Sequence, residues 1–416
     1  MFATNGGIGI IELNRPSKLN SLNQSMIDKL TPNVLEYVKN DSVKAIVLKG
    51  AGGKALCAGG DVAALASGIT KDGEAGSINA TTFFRDEYLL VQLIATLSKP
   101  YVALMHGITM GGGVGVSVHA PFRVATEKTL FAMPETDIGF FPDVGGTYFL
   151  SRLDGEIGTY LALTSARLKG YDVVSAGIAT HYIPSDRLPA LEKRLAEATA
   201  NSSSDNQFEL VNSVLNEFQA DAPEGYKFSL GGETRKLIDR VFGKNTIQEV
   251  VAELEKDGSE FSIASKKTIL ARSPTSVAVT LQALRRGKTL GISEALDKEY
   301  RLSENFMYHH DFVEGVSAKL ISKPARIPKY IPAKLESITQ KDVDVMLATK
   351  ANSPSPDIKF INGEDFLDYP YKFGLPTEQE VLSVLSKGTK QQTVEYFKSN
   401  NKPGVSRKVA EVLERN

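Results

Sequence analysis

Two glycine-rich segments, each following a short apolar strand, restrict this 416-residue chain more than anything else in it. Lys44-Ala45-Ile46-Val47-Leu48 reads as a strand and leads into the loop Gly50 to Gly60, which runs through Cys57-Ala58-Gly59-Gly60-Asp61. Tyr101-Val102-Ala103-Leu104-Met105 reads as another and leads into His106-Gly107-Ile108-Thr109-Met110-Gly111-Gly112-Gly113-Val114-Gly115. Each has the form of a strand ending in a tight loop that opens a helix. Glycine lets backbone approach a ligand closely, and a helix N-terminus aims N–H groups at negative charge. Two such loops side by side can present two backbone donors to one oxygen, an oxyanion hole. Ordinary close packing explains either loop alone. Neither has the spacing of a Walker loop or a dinucleotide fingerprint.

The alternation continues through the first 190 or so residues. Gly7 to Leu13 reads as a strand stopped by Asn14-Arg15-Pro16. Ser25 to Lys39 reads as a helix with Met26, Leu30, Val34 and Val38 on one stripe, or as one that begins at Thr31 with Pro32 in its first turn. Asn79 to Leu97 is a long helix, and Phe122 to Ala125 and Thr129 to Ala132 are two more strands. Strands alternating with helices give an α/β core over residues 1–190. Residues 191–337 read as a helical region, with helices expected over 188–200, 207–218, 233–242, 247–256, 261–271, 276–286, 293–307 and 311–321. A basic, proline-bearing linker, Lys323 to Tyr330, closes it. A third region, 338–416, holds short helices around Ser353-Pro354-Ser355-Pro356 and Tyr369-Pro370-Tyr371.

Three acids stand out. Glu135 and Asp143 lie eight residues apart across an apolar, Gly- and Pro-bearing connection that includes Phe140 and Phe141. Folded back, it brings both carboxylates into one dry cavity, where desolvation raises a carboxyl pKa toward the range useful for acid–base work. Left unfolded, they are two solvated loop acids. Glu87 shares a helical stripe with Phe83, Leu90, Val91 and Ile94. A carboxylate there is either functional or part of an ion pair, because burying an unpaired charge is costly. Arg85 and Asp86 fall on other faces and read as solvated.

Other groups are weaker candidates. Cys57 has no histidine at a spacing that would activate it and reads as a small core residue. His106 and His119 read as packing or capping residues, and adjacent His309-His310-Asp311 point apart, so no metal site is expected. One cysteine excludes an intrachain disulfide framework. With 48 Lys and Arg against 49 Asp and Glu the net charge is −1, so no global field draws the chain to nucleic acid or membrane. No stretch approaches the roughly 20 apolar residues of a membrane span. Strand-like sequence begins at Ile8, with no signal or transit pattern before it in this numbering. Residues 387–416 carry seven Lys and Arg against three Glu, net +4: a solvated helical face, or a weak patch for an acidic partner.

These segments, in this order, resemble the 3-hydroxyisobutyryl-CoA hydrolase family of the crotonase (enoyl-CoA hydratase/isomerase) superfamily. The resemblance is carried by Leu13-Asn14-Arg15-Pro16, Cys57 to Asp61, Phe83-Phe84-Arg85-Asp86-Glu87-Tyr88, Lys99 to Leu104, His106 to Gly115, Met133-Pro134-Glu135, Phe141-Pro142-Asp143-Val144-Gly145-Gly146 and His310 to Gly315. It covers about residues 5 to 350. It implies an α/β spiral of ββα units followed by helices that complete an acyl-CoA site, with hydrolysis of a 3-hydroxyacyl-CoA thioester in valine breakdown, in the mitochondrion. By motif, the oxyanion-hole amides would be those of Gly60 and Gly112. Glu135 would be the catalytic carboxylate, Asp143 its partner, and Glu87 would line the acyl pocket near the substrate hydroxyl. Coenzyme A enters as part of the substrate, and no further cofactor is implied.

Hydratases resemble the same pattern but carry a second glutamate shortly after the glycine run, where this chain has Gly115. Water addition is therefore disfavoured, whereas hydrolysis needs one carboxylate and an oxyanion hole. Glu135 would serve as general base or as a nucleophile forming an anhydride. Tyr369-Pro370-Tyr371-Lys372-Phe373-Gly374-Leu375-Pro376-Thr377-Glu378-Gln379-Glu380 resembles the C-terminal extension of fungal members, some of which serve the mitochondrial ribosomal small subunit. That assembly role, with or without residual hydrolysis, is one alternative. A crotonase-fold isomerase using Glu135 as its sole base is another.

Overall fold

The computed structural model describes residues 1–202, 205–348, 355, 357–399 and 401–416. Ten strands form two sheets among these residues: β1 (Phe2–Asn5), β2 (Ile8–Leu13), β3 (Ala45–Gly50), β4 (Ala55–Cys57), β5 (Tyr101–Met105), β6 (Ile108–Met110), β7 (Phe122–Ala125), β8 (Leu130–Ala132), β9 (Leu168–Lys169) and β10 (His181–Tyr182). The larger sheet has the order β1-β2-β3-β5-β7-β10, parallel apart from the β1–β2 hairpin. The smaller has the order β4-β6-β8-β9, with β9 antiparallel. Successive strand pairs, β3 with β4, β5 with β6 and β7 with β8, give one strand to each sheet, which is the expected spiral. Strands β4 and β6 lie inside the segments read as loops; three residues each is too short to show a period.

The inner strands of the larger sheet are apolar because both faces are covered, whereas the edge strand β1 is largely exposed. Ile8, Val47, Val102, Leu104, Phe122 and Val124 pack against the helices Leu188–Ala200 and Gln207–Phe218. The opposite face meets α1 (Gln24–Lys39) and α3 (Glu74–Ala95), α3 being preceded by α2 (Val62–Asp72), which the sequence reading left unassigned. Helix α1 runs through Pro32 instead of starting at Thr31, with Asn23 Oδ1 accepting from the Met26 amide at 3.0 Å. Its buried residues are Ile27, Leu30, Val34 and Tyr37; the expected Leu30 and Val34 are among them, and the expected Met26 and Val38 are partly buried beside them. The expected helices of the second region are present within one or two residues, the last one widening from an α-helix over His310–Val316 into a π-helical turn over Ser317–Ile321. One apolar cluster joins the spiral to this region and on to Leu335, Ile338, Val343 and Met346.

The C-terminal segment departs most from expectation. Ser353, Pro354 and Pro356 lie outside the described residues. Tyr369-Pro370-Tyr371 is an extended strap, not a helix. Phe373 stacks on Phe122 at 4.6 Å and Tyr371 on Phe208 at 5.1 Å. The Tyr369 hydroxyl donates to the Ala120 carbonyl at 2.6 Å and accepts from Arg123 at 3.1 Å. Three helices follow, Glu378–Leu385, Lys390–Lys398 and Val405–Arg415, around Val381, Phe397, Val405, Val409 and Val412. Part of their positive charge is spent within the chain. Lys408 pairs with Asp154 at 2.5 Å, Arg415 with Glu378 at 2.9 Å, and Lys390 donates to the Leu413 carbonyl at 2.6 Å.

Candidate active site

The two glycine turns meet. Strands β4 and β6 pair in parallel, so the turn after each emerges on the same side. A Cβ on Gly112 would lie 3.4 Å from the Gly60 amide nitrogen, and one on Gly59 would lie 3.8 Å from that of Gly112. Gly112 opens the short helix α4 (Gly112–Val118), so its amide is one of the first-turn donors left over by a helix. Among the described residues neither the Gly60 nor the Gly112 amide donates to any protein acceptor. Two adjoining, unengaged N–H groups are what an oxyanion needs.

Around them lie the acids. Glu87, on α3, is 1 % exposed, and its Oε1, which has no hydrogen-bond partner, would stand 2.2 Å from a Cβ at Gly112. A side chain at 112 would therefore have to displace the Glu87 carboxylate. Among the described residues no lysine or arginine pairs with Glu87, so it is not half of a structural ion pair there. Arg85 and Asp86, expected in solvent, are half-buried and pair with each other at 2.8 Å. Glu135 sits in the helical turn Glu135–Ile138, with Oε1 2.9 Å from a Cβ placed on Gly111 and Oε2 unpartnered. Asp143 Oδ2 accepts from the Tyr88 hydroxyl at 2.7 Å. Glu135 is 6 % and Asp143 4 % exposed, so they are not solvated loop acids.

Burial dominates their ionisation. It raises Glu87 and Glu135 well above the ordinary glutamate range, with the Asp143 charge adding to both. It pushes Asp143 up to about 7, against the Tyr88 hydrogen bond that holds it down. The aromatic shell does this as expected: Phe140 stacks on Phe84 at 5.1 Å and meets Phe306 at 5.4 Å and Phe312 at 5.5 Å. The turn bearing Glu135 is also fixed from outside, since Tyr330 donates to the Asp137 carbonyl at 2.9 Å and Arg272 and Lys319 both pair with the Asp137 carboxylate.

Several groups here escaped sequence reasoning. Glu299, on the helix Ile292–Met307, accepts from the Gly145 amide at 2.7 Å, the Thr147 amide at 2.8 Å and the Thr147 hydroxyl at 2.5 Å. Burial pushes it up to about 8 despite those three donors. Ser303 lies 2.6 Å from the Tyr88 hydroxyl. Both residues share a buried stripe with Ala295, Leu296 and Phe306, the same signal that picked out Glu87. His119, whose pKa burial draws down to about 4, holds the Val144 carbonyl at 2.9 Å.

The remaining candidates serve structure. Cys57 is fully buried and its thiol is pushed up to about 12, so it is no nucleophile. His106 pairs with Thr126, and Asp311 is engaged by Ser273 at 2.6 Å and the Ile331 amide at 2.8 Å. Among the described residues no His, Cys, Asp or Glu group is arranged to hold a metal. At Gly115 a Cβ would stand 2.5 Å from the Val144 Cβ, so the position that carries a glutamate in hydratases has no room here for any side chain.

Residues 8–347 match the enoyl-CoA hydratase/isomerase family. The chain is 48% identical to the mitochondrial 3-hydroxyisobutyryl-CoA hydrolase of Gallus gallus over 82% of this chain and 86% of that one. It is 45% identical to the Homo sapiens hydrolase over 85% and 89%. It is 44% identical to the small ribosomal subunit protein mS47 of Neurospora crassa, over 97% of this chain and 83% of that one. Among solved structures, a carnitinyl-CoA dehydratase from Mycobacterium thermoresistibile superposes with a TM-score of 0.77 at 36% identity, covering 88% of this chain and 99% of the other. The chain belongs to the crotonase (enoyl-CoA hydratase/isomerase) superfamily and, within it, to the 3-hydroxyisobutyryl-CoA hydrolase family.

Proposed function

We propose that this protein hydrolyses a 3-hydroxyacyl-CoA thioester, with 3-hydroxyisobutyryl-CoA of valine breakdown as its substrate, in the mitochondrion. The observation that carries the reading is the meeting of the Gly60 and Gly112 amides, both unengaged, beside the buried Glu135. The thioester oxygen accepts from both amides. Glu135, in its ionised form, takes a proton from an attacking water or adds to the carbonyl carbon itself. Either step puts the negative charge on the oxygen held by the two amides. Collapse of the tetrahedral species breaks the C–S bond. In the first route the sulfur recovers the proton parked on Glu135; in the second, the thiolate leaves, water cleaves the anhydride to free the Glu135 carboxylate, and the proton that water gives up passes to the thiolate. Both end in a carboxylic acid and coenzyme A, and no step calls on a metal or redox cofactor. A raised pKa makes the carboxylate a better proton acceptor near neutrality. Glu87, facing the same space, is placed to meet the substrate hydroxyl.

Water addition, the reaction type behind the dehydratase name among the structural relatives, finds no second glutamate at Gly115. A ribosomal role has its own support. The match to the Neurospora protein takes in 97% of the chain, whereas those to the hydrolases stop at 82–85% and leave out a part the size of the C-terminal extension. The two roles are compatible. The test is CoA release from 3-hydroxyisobutyryl-CoA by wild type and Glu135→Gln, with double-bond migration in an enoyl-CoA assayed alongside. Turnover lost in the variant supports hydrolysis. Migration without CoA release supports the isomerase. No chemistry in either protein, with co-sedimentation on small ribosomal subunits, supports the assembly role alone.

A further inference from the structure

Three groups tie the Asp143 loop to two helices, and the scheme above uses none of them. The Tyr88 hydroxyl lies 2.7 Å from Asp143 Oδ2 and 2.6 Å from Ser303 Oγ, and Ser303 Oγ lies 2.8 Å from the Glu299 carbonyl oxygen. The Glu299 carboxylate grips the amides of Gly145 and Thr147, just beyond Val144, which holds a positive φ of 54°. With Asp143 protonated, three O–H groups serve three contacts in one direction: Asp143 to Tyr88, Tyr88 to Ser303, Ser303 to the Glu299 carbonyl. With Asp143 ionised, Tyr88 donates to the carboxylate, and Ser303 divides its proton between Tyr88 and the carbonyl. Neither state moves a heavy atom.

We infer that Tyr88 and Ser303 are positioning residues for Asp143, a pair of hydroxyls that reverses direction so that the aspartate can release and regain a proton while staying in place opposite Glu135. The kinetic consequence rests on the hydrolase reading; the titration itself does not. The groups that face Asp143 are Tyr88 and Glu87 on α3, Glu135 on its turn, Glu299 and Ser303 on the helix Ile292–Met307, and neutral His119 behind Val144. Among the described residues no lysine or arginine forms an ion pair with any of the four carboxyls. Removing the Tyr88 donor therefore leaves the ionised aspartate with its own backbone amide and no second side-chain donor.

The experiment follows Asp143 by 13C NMR of aspartate-labelled protein, and the pH profile of kcat/KM for CoA release, in wild type, Tyr88→Phe and Ser303→Ala. Tyr88→Phe keeps the ring and loses a charge-assisted bond, so the Asp143 midpoint rises by about one pH unit or more. The acid limb of kcat/KM moves up with it, and Ser303→Ala shifts both in the same direction by less. A purely structural role would lower activity evenly across pH without moving the limb. Unmoved midpoints in both variants, with melting temperatures near wild type, overturn the inference. Should Tyr88→Phe not fold, the Ser303→Ala midpoint decides it. If wild type releases no CoA, the hydrolase reading fails while the NMR midpoints still judge the hydroxyl pair.

Discussion

Gly112→Ala separates the two demands made on that position. An added Cβ would stand 2.2 Å from Glu87 Oε1 and 3.4 Å from the Gly60 amide nitrogen. The first contact is a clash with the end of a side chain, a matter of stability; overpacking of this kind costs about 1–3 kcal/mol. The second puts a methyl group in the space where an oxygen bound to the Gly60 amide must sit. Losing one oxyanion-hole donor costs about 2.7–4 kcal/mol, or about 10²–10³ in kcat. Glu87→Ala removes the clashing oxygen and leaves the space before Gly60 unchanged. The double variant Glu87→Ala/Gly112→Ala is therefore expected to regain the melting temperature of Glu87→Ala while its kcat stays about 10²-fold or more below that single variant. The assay is steady-state CoA release with a thiol reagent, beside thermal unfolding. Gly112→Ala with kcat within a few-fold of wild type would refute the oxyanion hole. Recovery of kcat in the double variant would show that the clash, and not the blocked amide, caused the loss.

Two other outcomes are expected. Stability should fall with rising pH across the neutral range: Asp143 at about 7 and Glu299 at about 8 lie above the ordinary carboxylate pKa of about 4, so between those limits the native state holds protons the unfolded chain has released. Their contribution is whole below about pH 4 and is lost as pH rises through about 8, so melting temperatures from pH 5 to 8.5 should decline and Glu299→Gln should flatten the upper part; a level or rising curve contradicts the assignment. Gly115→Glu should lower the melting temperature, because its Cβ meets Val144 at 2.5 Å, and should gain no hydratase activity; water addition to an enoyl-CoA by this variant would undo the account of the missing second acid.

Much of this was legible before the structure, for reasons that can be named. Glu87 was visible because a carboxylate at helical spacing among Phe83, Leu90, Val91 and Ile94 breaks an apolar stripe, and the structure buries all five. Glu135 and Asp143 were visible because Phe140 and Phe141 between them imply a dry connection. Glu299 and Ser303 obey the same stripe rule, yet nothing local says that their helix lies against α3. That contact spans more than 200 residues and is fixed by tertiary packing alone. The centre of the α1 stripe, Leu30 and Val34, was legible, whereas at its ends Ile27 and Tyr37 are buried more fully than Met26 and Val38, and the Tyr37 hydroxyl donates to the Ala3 carbonyl at 2.8 Å. The C-terminal basic charge lies mostly at exposed positions, as a solvated face would, while Lys408 and Arg415 turn inward to Asp154 and Glu378, partners too remote for any local pattern to show.

The charge of the site connects the fold to the chemistry proposed for it. Four buried carboxyls, Glu87, Glu135, Asp143 and Glu299, gather with no lysine or arginine paired to them among the described residues. The positive potential available to the substrate comes from backbone: the Gly60 amide and the buried first turn of α4, whose Gly112 amide donates to no protein acceptor among the described residues. Such a site suits a neutral thioester, on which negative charge appears only as the tetrahedral species forms and only at the oxygen the amides hold. It is unsuited to retaining the product. A free carboxylate about 4 Å from an ionised Asp143 would be repelled by on the order of 4 kcal/mol at an effective dielectric constant of about 20. The acids that raise one another's pKa in the resting protein thus also favour departure of the hydrolysed acid, because hydrolysis turns a neutral acyl group into a carboxylate.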